Sequence, residues 1–308
     1  MAFNVIKTTD VDSKLTILAL KTLQELMNQC MMPRLVSVRQ DVEGKVRGKG
    51  DTIRVLIPAS LAVNPKSEDE EYTFQGLTDD NVEVVLDQHN EASFRVSGPA
   101  QMFSSADTIA MYAKNAALAL AAQVDTDLLA LYLSAGGSVG TYGTPLDAAA
   151  MLALRKAFSD AQVSASERNL VLGTQGINDL LVVSDFTRAE RIGTAQALRE
   201  GVVGRIFGID VWEDPRVPIS DKTTDEHHNL AFQRDCIVLG VAPMFIPPAG
   251  SGVDAALVAV TDESGQPTGV QLRVMFWFDP NENTHKCVSD ILYGVKVIRA
   301  AGVFEVKR

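Results

Sequence analysis

Residues 104–133 read SSADTIAMYAKNAALALAAQVDTDLLALYL, from Ser104 to Leu133. Ala106, Ile109, Ala110, Ala113, Ala117, Leu120, Ala121, Val124, Leu128 and Leu131 recur at three- and four-residue spacing, and Lys114, Asn115, Gln123 and Asp127 fall on the other side. The spacing predicts one amphipathic helix of about thirty residues. At ~1.5 Å per residue it would be roughly 45 Å long, more than a compact single-core domain accommodates. Ser104-Ser105-Ala106-Asp107 is a capping-box variant at its start. Gly136-Gly137 suits its end, and a Gly/Ser/Thr-rich linker is expected from Gly136 to Thr144.

Upstream lies a charged excursion over residues 44–97. Asp51 to Ile57 is rich in β-branched residues and reads as a strand; Pro58 and Pro65 then interrupt. Strand character returns at Val82–Leu86, and a turn at Asp87–Asn90 leads to an expected partner strand at Ala92–Val96. The entry is basic (Lys45, Arg47, Lys49, Arg54) and the far part acidic (Glu68, Asp69, Glu70, Glu71, Asp79, Asp80). These runs are either solvated faces or complementary patches that set register between subunits. Further upstream, residues 12–31 carry a second helical stripe that Pro33 ends.

Downstream, Pro145 and Asp147 start a helix to about Gln162. Arg168–Leu172 reads as a strand, Gln175–Val183 as a short helix, and Phe186–Gly201 as polar and partly helical. Gly204–Trp212, Leu230–Leu239, Val253–Val260, Val270–Phe278, Ile291–Ile298 and Val303–Val306 read as strands. This is an α+β pattern without regular alternation or repeats.

Composition narrows the function classes. Apolar residues make up 46 % of the 308 and charged residues 22 %, as in a folded globular protein. A net charge of −11 argues against gripping nucleic acid through phosphate neutralisation. Cys30, Cys236 and Cys287 imply no disulfide framework, and a reducing compartment is expected. No signal peptide and no membrane span are expected.

Catalytic motifs fail on context. Gly136-Gly137-Ser138-Val139-Gly140 matches the nucleophile elbow formally, but a helix precedes it where the motif needs a strand. His227-His228 and His285-Lys286-Cys287 lack the paired spacing of zinc ligands, and the histidine pair is expected in a solvated loop over Ser220–Asn229. Asp125 and Asp127 do not share a helix face. Gly44–Gly50 lacks phosphate-loop spacing and reads as a flexible stem. No enzyme activity, cofactor or metal is expected.

The order of segments carries a resemblance. Lys49–Val55 leads into a proline-broken excursion, then Val82–Val96, then the long helix ending in Ala121–Tyr132. Arg168–Leu172, Gly204–Val211, Ala231–Asp235 and the closing Asp290–Val297 follow. This arrangement resembles the major capsid proteins of tailed bacteriophages, of the Hong Kong 97 fold, in the branch of short-tailed-phage coat proteins. The resemblance implies an α+β fold with an N-terminal arm (1–43) and an extended β-hairpin loop (44–97). It further implies a peripheral domain with a spine helix (98–145), a mainly axial domain (146–270), and C-terminal strands returning to the peripheral domain (271–308).

The same resemblance implies self-assembly into pentamers and hexamers of an icosahedral virion shell, built in the host cytoplasm. The shell would enclose DNA without sequence-specific binding. A scaffolding protein and a portal would be partners, and a decoration protein is left open. Inter-subunit contacts would fall at Lys45, Arg47, Lys49, Arg54, Glu68, Asp69, Glu70 and Glu71, and hinges at Gly48, Gly50, Gly136 or Gly137. The alternatives are an encapsulin-like nanocompartment and a hydrolase built on Ser138.

Overall fold

A computed structural model of the protein describes residues 31–40, 50–57, 63–66, 68, 71, 74, 76, 80–97, 106–183, 204–221, 226–248, 252–261 and 267–308. Residues 12–30 of the helix expected over 12–31, and the polar stretch 186–201, therefore lie outside the described residues. Among the described residues the first element is a single helical turn, α1 (Met32–Leu35), followed by β1 (Ser37–Gln40). Whether Pro33 follows the end of that upstream helix lies outside the described residues. Pro33 sits in the first turn of α1, where its missing N–H has no intrahelical partner to lose.

β2 (Thr52–Ile57) and β3 (Asp80–Val85) form a two-stranded antiparallel ladder, Thr52 opposite Val85 and Ile57 opposite Asp80. β4 (Gln88–Ser97) begins only two residues after β3 but does not pair with it. It lies along β14 (Thr284–Val297), with Gln88 opposite Tyr293 and Ser97 opposite Thr284. The strand pair expected over Val82–Val96 is thus split between two sheets. The physical reason is burial: Ala92 and Phe94 pack against a large core, which an isolated ribbon cannot provide.

The quoted stretch forms α2 (Ala106–Leu129), 24 residues and roughly 36 Å long. It is shorter than its spacing predicts, because Ala130–Ser134 winds into a tighter 3-10 turn. Leu120, Ala121, Val124, Leu128 and Leu129 are buried, and the helix packs on α1, β4 and β14. Each large aliphatic side chain among them contributes about 1.5–3 kcal/mol.

The expected linker after α2 is instead a strand, β5 (Gly137–Gly140). It runs parallel to β15 (Val303–Lys307), with Gly137 opposite Phe304. The glycines belong there for room: a Cβ on Gly136 would collide with the Ala300 carbonyl. α3 (Ala148–Asp160) follows, its N-terminus capped by Asp147, which accepts from Ala150 N–H at 2.8 Å. β6 (Arg168–Leu172) and α4 (Thr174–Val182) match the sequence reading.

The Gly204–Trp212 stretch is not one strand but a tight hairpin, β7 (Arg205–Ile206) and β8 (Ile209–Glu213), and β9 (Ile219–Asp221) follows. The Leu230–Leu239 stretch likewise divides into β10 (Glu226–Gln233) and β11 (Ile237–Ala242) at a 3-10 turn over Arg234–Cys236. β12 (Asp254–Thr261) and β13 (Pro267–Asp279) pair as expected.

Two sheets result. The first has six strands in the order β1-β11-β14-β13-β12, with β4 on β14; the second has seven, β5-β15-β10-β6-β8-β7, with β9 on β10. β15 therefore joins the second sheet, whereas β14 belongs to the first. One core lies between α2 and the first sheet and extends to Val171, Leu230, Phe232 and Val303 of the second. A second core gathers Met151, Leu154 and Phe158 of α3 on the second sheet, with Phe158 edge-on to Phe304 at 4.9 Å. β10–β11 and β14–β15 pass between the sheets through adjacent short turns. There Ile298 N–H donates to the Cys236 carbonyl at 2.8 Å, and Gly302 packs against Cys236 Sγ.

Candidate functional site

The β2–β3 ribbon stands on the face of the first sheet opposite α2. Its root is closed by Gly50 N–H donating to Leu86 O at 2.7 Å and Leu86 N–H donating to Asp51 O at 2.8 Å. Gly50 adopts φ +94°, a region that suits glycine, so the ribbon can start in a sharp bend. Ile53 and Leu86 pack on Ala242 and Leu292, with Met244 beside them. Two glycines of the sheet make room. Gly240 leaves space for Ile53, Val84 and Leu86, and Gly294 lets the Val85 carbonyl approach backbone to backbone. Lys296 Nζ donates to Glu83 O at 2.8 Å from β14.

Away from the root the ribbon loses its support. Leu56 is 58 % exposed, and in the excursion beyond it Val63 and Phe74 are 95 % and 93 % exposed. These exposed apolar side chains make the excursion a candidate contact surface. On the other side of the root, the Phe245 carbonyl accepts from Arg273 Nη1 at 2.6 Å while its ring points outward. Arg273 is itself locked to buried Asp290.

The charged residues singled out in the sequence divide three ways. Lys45, Arg47, Gly48, Lys49, Asp69 and Glu70 lie outside the described residues. Glu68 and Glu71 are exposed. Arg54 is exposed too, but its Nε meets Glu83 Oε1 across the ribbon at 3.2 Å, so it has a partner in its own chain. Gly136 and Gly137 lie against Ala300 and Phe304 in the second sheet, and the reading of them as a flexible linker is overturned.

Ser138 sits on β5 opposite Glu305 of β15, without the strand-to-helix turn that a nucleophile elbow requires. The expectation of a solvated histidine loop is also overturned. His227 and His228 are on β10, 7 % and 9 % exposed. His228 Nδ1 meets Glu305 Oε1 at 2.6 Å and Tyr142 Oη at 3.0 Å, while Tyr132 stacks on its ring at 4.2 Å. Tyr142 Oη also donates to Glu305 Oε1 at 2.7 Å.

Burial pushes the Tyr142 hydroxyl up, and the hydrogen bond to Glu305 adds to the rise. Burial, the largest single influence on Glu305, also pushes its carboxyl up. Hydrogen bonds from His228 and Tyr142 and the charge of Lys307 outweigh it and hold that carboxyl below its ordinary range. The cluster pins the residues after β5 to β10 and β15. Among the described residues no group of three or more His, Cys, Asp or Glu is arranged to hold a metal ion, and no helix is long and apolar enough to cross a membrane.

Asp125, which the sequence sets on a different helix face from Asp127, is wholly buried in α2 and bonded to Arg216 and to the backbone of Met31 and Met32, partners the sequence does not indicate. A carboxylate between Ala121, Val124 and Leu128 on the apolar stripe was the signal of that burial.

No family model and no curated protein matches the sequence. Solved structures do match in fold. One from Mycobacterium phage Che8 is 20 % identical, with a TM-score of 0.60, covering 90 % of this chain and 91 % of that one. The capsid structure of the cyanophage P-SCSP1u is 14 % identical at TM-score 0.58, covering 90 % and 87 %. A virus-like particle from Pyrococcus furiosus is 13 % identical at TM-score 0.51, covering 93 % and 96 %. At these identities the likeness is one of fold: the mixed α+β arrangement expected from the sequence is shared with these capsid structures.

Proposed function

We propose that many copies of this chain assemble into an icosahedral shell that encloses the genome of a tailed double-stranded DNA phage. The observation that carries this reading is the β2–β3 ribbon. It is anchored by its root alone among the described contacts, and it presents Leu56, with Val63 and Phe74 beyond it, to solvent. A second copy supplies the cover that one copy lacks, and rotational symmetry closes the contacts. The likeness to phage capsid structures supports the same conclusion. The role is structural, and no catalytic step is assigned.

Within this proposal residues 1–43 form an arm, 44–97 an extended loop, 98–145 the peripheral domain, 146–270 mainly the axial domain, and 271–308 the returning strands. The basic entry (Lys45, Arg47, Lys49) faces the acidic run (Glu68, Asp69, Glu70, Glu71) of a neighbour, and Gly48 and Gly50 take up the bend when the shell changes shape. A scaffolding protein and a portal serve assembly in the host cytoplasm.

The test is sedimentation and negative-stain microscopy of the full chain, alone and co-expressed with a scaffolding protein. Closed shells of uniform size are expected, with nuclease-protected DNA in shells from infected cells. A monomer at every salt and protein concentration overturns the reading. The second reading, an encapsulin-like shell around protein cargo, is the less favoured of the two; shells that hold an enzyme and no nucleic acid would establish it.

A further inference from the structure

Asp125 lies on the buried face of α2 and has no exposed surface. A carboxylate in that position needs partners in place of water. It accepts from Met31 N–H at 3.2 Å and Met32 N–H at 3.1 Å, where the described chain enters α1. Arg216, in the segment between β8 and β9, donates Nη2 to Asp125 Oδ2 at 2.7 Å. The same guanidinium is held by Asp214, Nε to Oδ1 at 2.8 Å and Nη2 to Oδ2 at 3.1 Å. Asp214 is 1 % exposed and also accepts from the Arg216 N–H. One cation is thus shared by two buried carboxylates, and one of those carboxylates grips the backbone at the start of α1.

The charged groups facing Asp125 are Arg216 and Asp214, both from the β8–β9 segment, while α1 contributes only its two N–H groups. Burial pushes the Asp125 carboxyl up to about 6. Arg216 and the N–H groups of Met31 and Met32 oppose that rise, and the charge of Asp214 adds to it.

We propose that the Asp125–Arg216–Asp214 cluster is a pH-responsive clasp: with Asp125 charged it fastens Met31 and Met32 to α2, and with Asp125 protonated it lets them go. A carboxylate accepts charge-assisted hydrogen bonds from all three donors at once. Protonation turns one oxygen into a donor and removes the charge that strengthens the remainder.

The thermodynamic sign separates this clasp from ordinary acid unfolding. The carboxyl of the folded protein titrates above its ordinary value of 3.8. The stability it contributes is therefore fully present below that value and is lost as pH rises through about 6. Acidification from pH 8 to 5 loosens the root at Met31–Met32 while this group favours, rather than undermines, the folded body. The clasp is a property of the single subunit and stands or falls independently of the shell reading.

The test is hydrogen exchange of the full chain between pH 5 and 8, with rates corrected for their intrinsic pH dependence. Protection of the Met31–Leu35 peptide is expected to fall on acidification with a midpoint near 6, while Met151–Phe158 stays protected. Arg216→Gln should raise that midpoint by about 1 in pH, and Asp214→Asn should lower it. Asp125→Asn should leave the root loose at every pH. Equal protection at pH 5 and 8 in the unmodified chain overturns the proposal, as does displacement of both midpoints in one direction. If Asp125→Asn does not fold, the opposed displacements of the other two variants decide alone.

Discussion

Gly294→Ala tests how the ribbon is seated. An added Cβ would overlap the Val85 carbonyl oxygen, with the carbonyl carbon at 2.8 Å and Leu86 Cα at 3.2 Å. All three are backbone atoms, so no side-chain rotation relieves the overlap and β3 must move off β14. That displacement opens the Ile53–Leu86–Leu292 cluster and stretches the 2.8 Å bond from Lys296 to Glu83 O. Overpacking of this kind costs about 1–3 kcal/mol. At ~2.1 cal/mol/K per residue, a chain of 308 residues has an unfolding entropy of about 0.65 kcal/mol/K. The melting temperature should therefore drop by about 2–5 °C. Exchange over residues 80–86 should rise, and in the proposed shell the yield of particles should fall with it. Gly76→Ala, where nothing lies within 4 Å, is the control and should melt with the parent. If Gly294→Ala also melts within 1 °C of the parent, with residues 80–86 equally protected, the seating described here is wrong.

Two further outcomes follow from burial. Cys287 is 1 % exposed and its thiol is pushed up to about 12 by burial, so it should resist iodoacetamide in the native protein at pH 8 and react on unfolding; prompt native labelling would contradict this. Glu305 is held below its ordinary 4.5, so its stabilisation is present above that value and lost as pH falls through the lower value of the folded state. Glu305→Gln should accordingly flatten the acid side of a melting-temperature profile below pH 4.5, and an unchanged profile would count against the cluster.

Elements whose signal is local were legible in the sequence. α3 announces itself through Asp147 and its apolar spacing, β2 through its β-branched run, β6 through the apolar Leu170–Leu172, and β12–β13 through adjacent apolar stretches. Choice of partner was not local. β4 follows β3 almost immediately yet pairs with a strand nearly two hundred residues away, because only the large core has room for Phe94. His227 and His228 look solvated among Ser220–Asn229, and their burial depends on Tyr132, Tyr142 and Glu305, which no window around residue 228 contains. The break at Arg234-Asp235 was visible as two charges inside an apolar run. The pairing of Arg54 with Glu83 was likewise not local, since it follows from the β2–β3 register.

The side-by-side turns at Arg234–Cys236 and Ile298–Gly302 also bear on mechanics. Force pulling the two sheets apart would run in parallel along these two crossings, bridged by the hydrogen bond from Ile298 to Cys236, and along the earlier crossing through α2 from β4 to β5. Neither sheet could peel away while any of the crossings held. A container wall made of such pieces would yield at the seams between molecules before any molecule tore within.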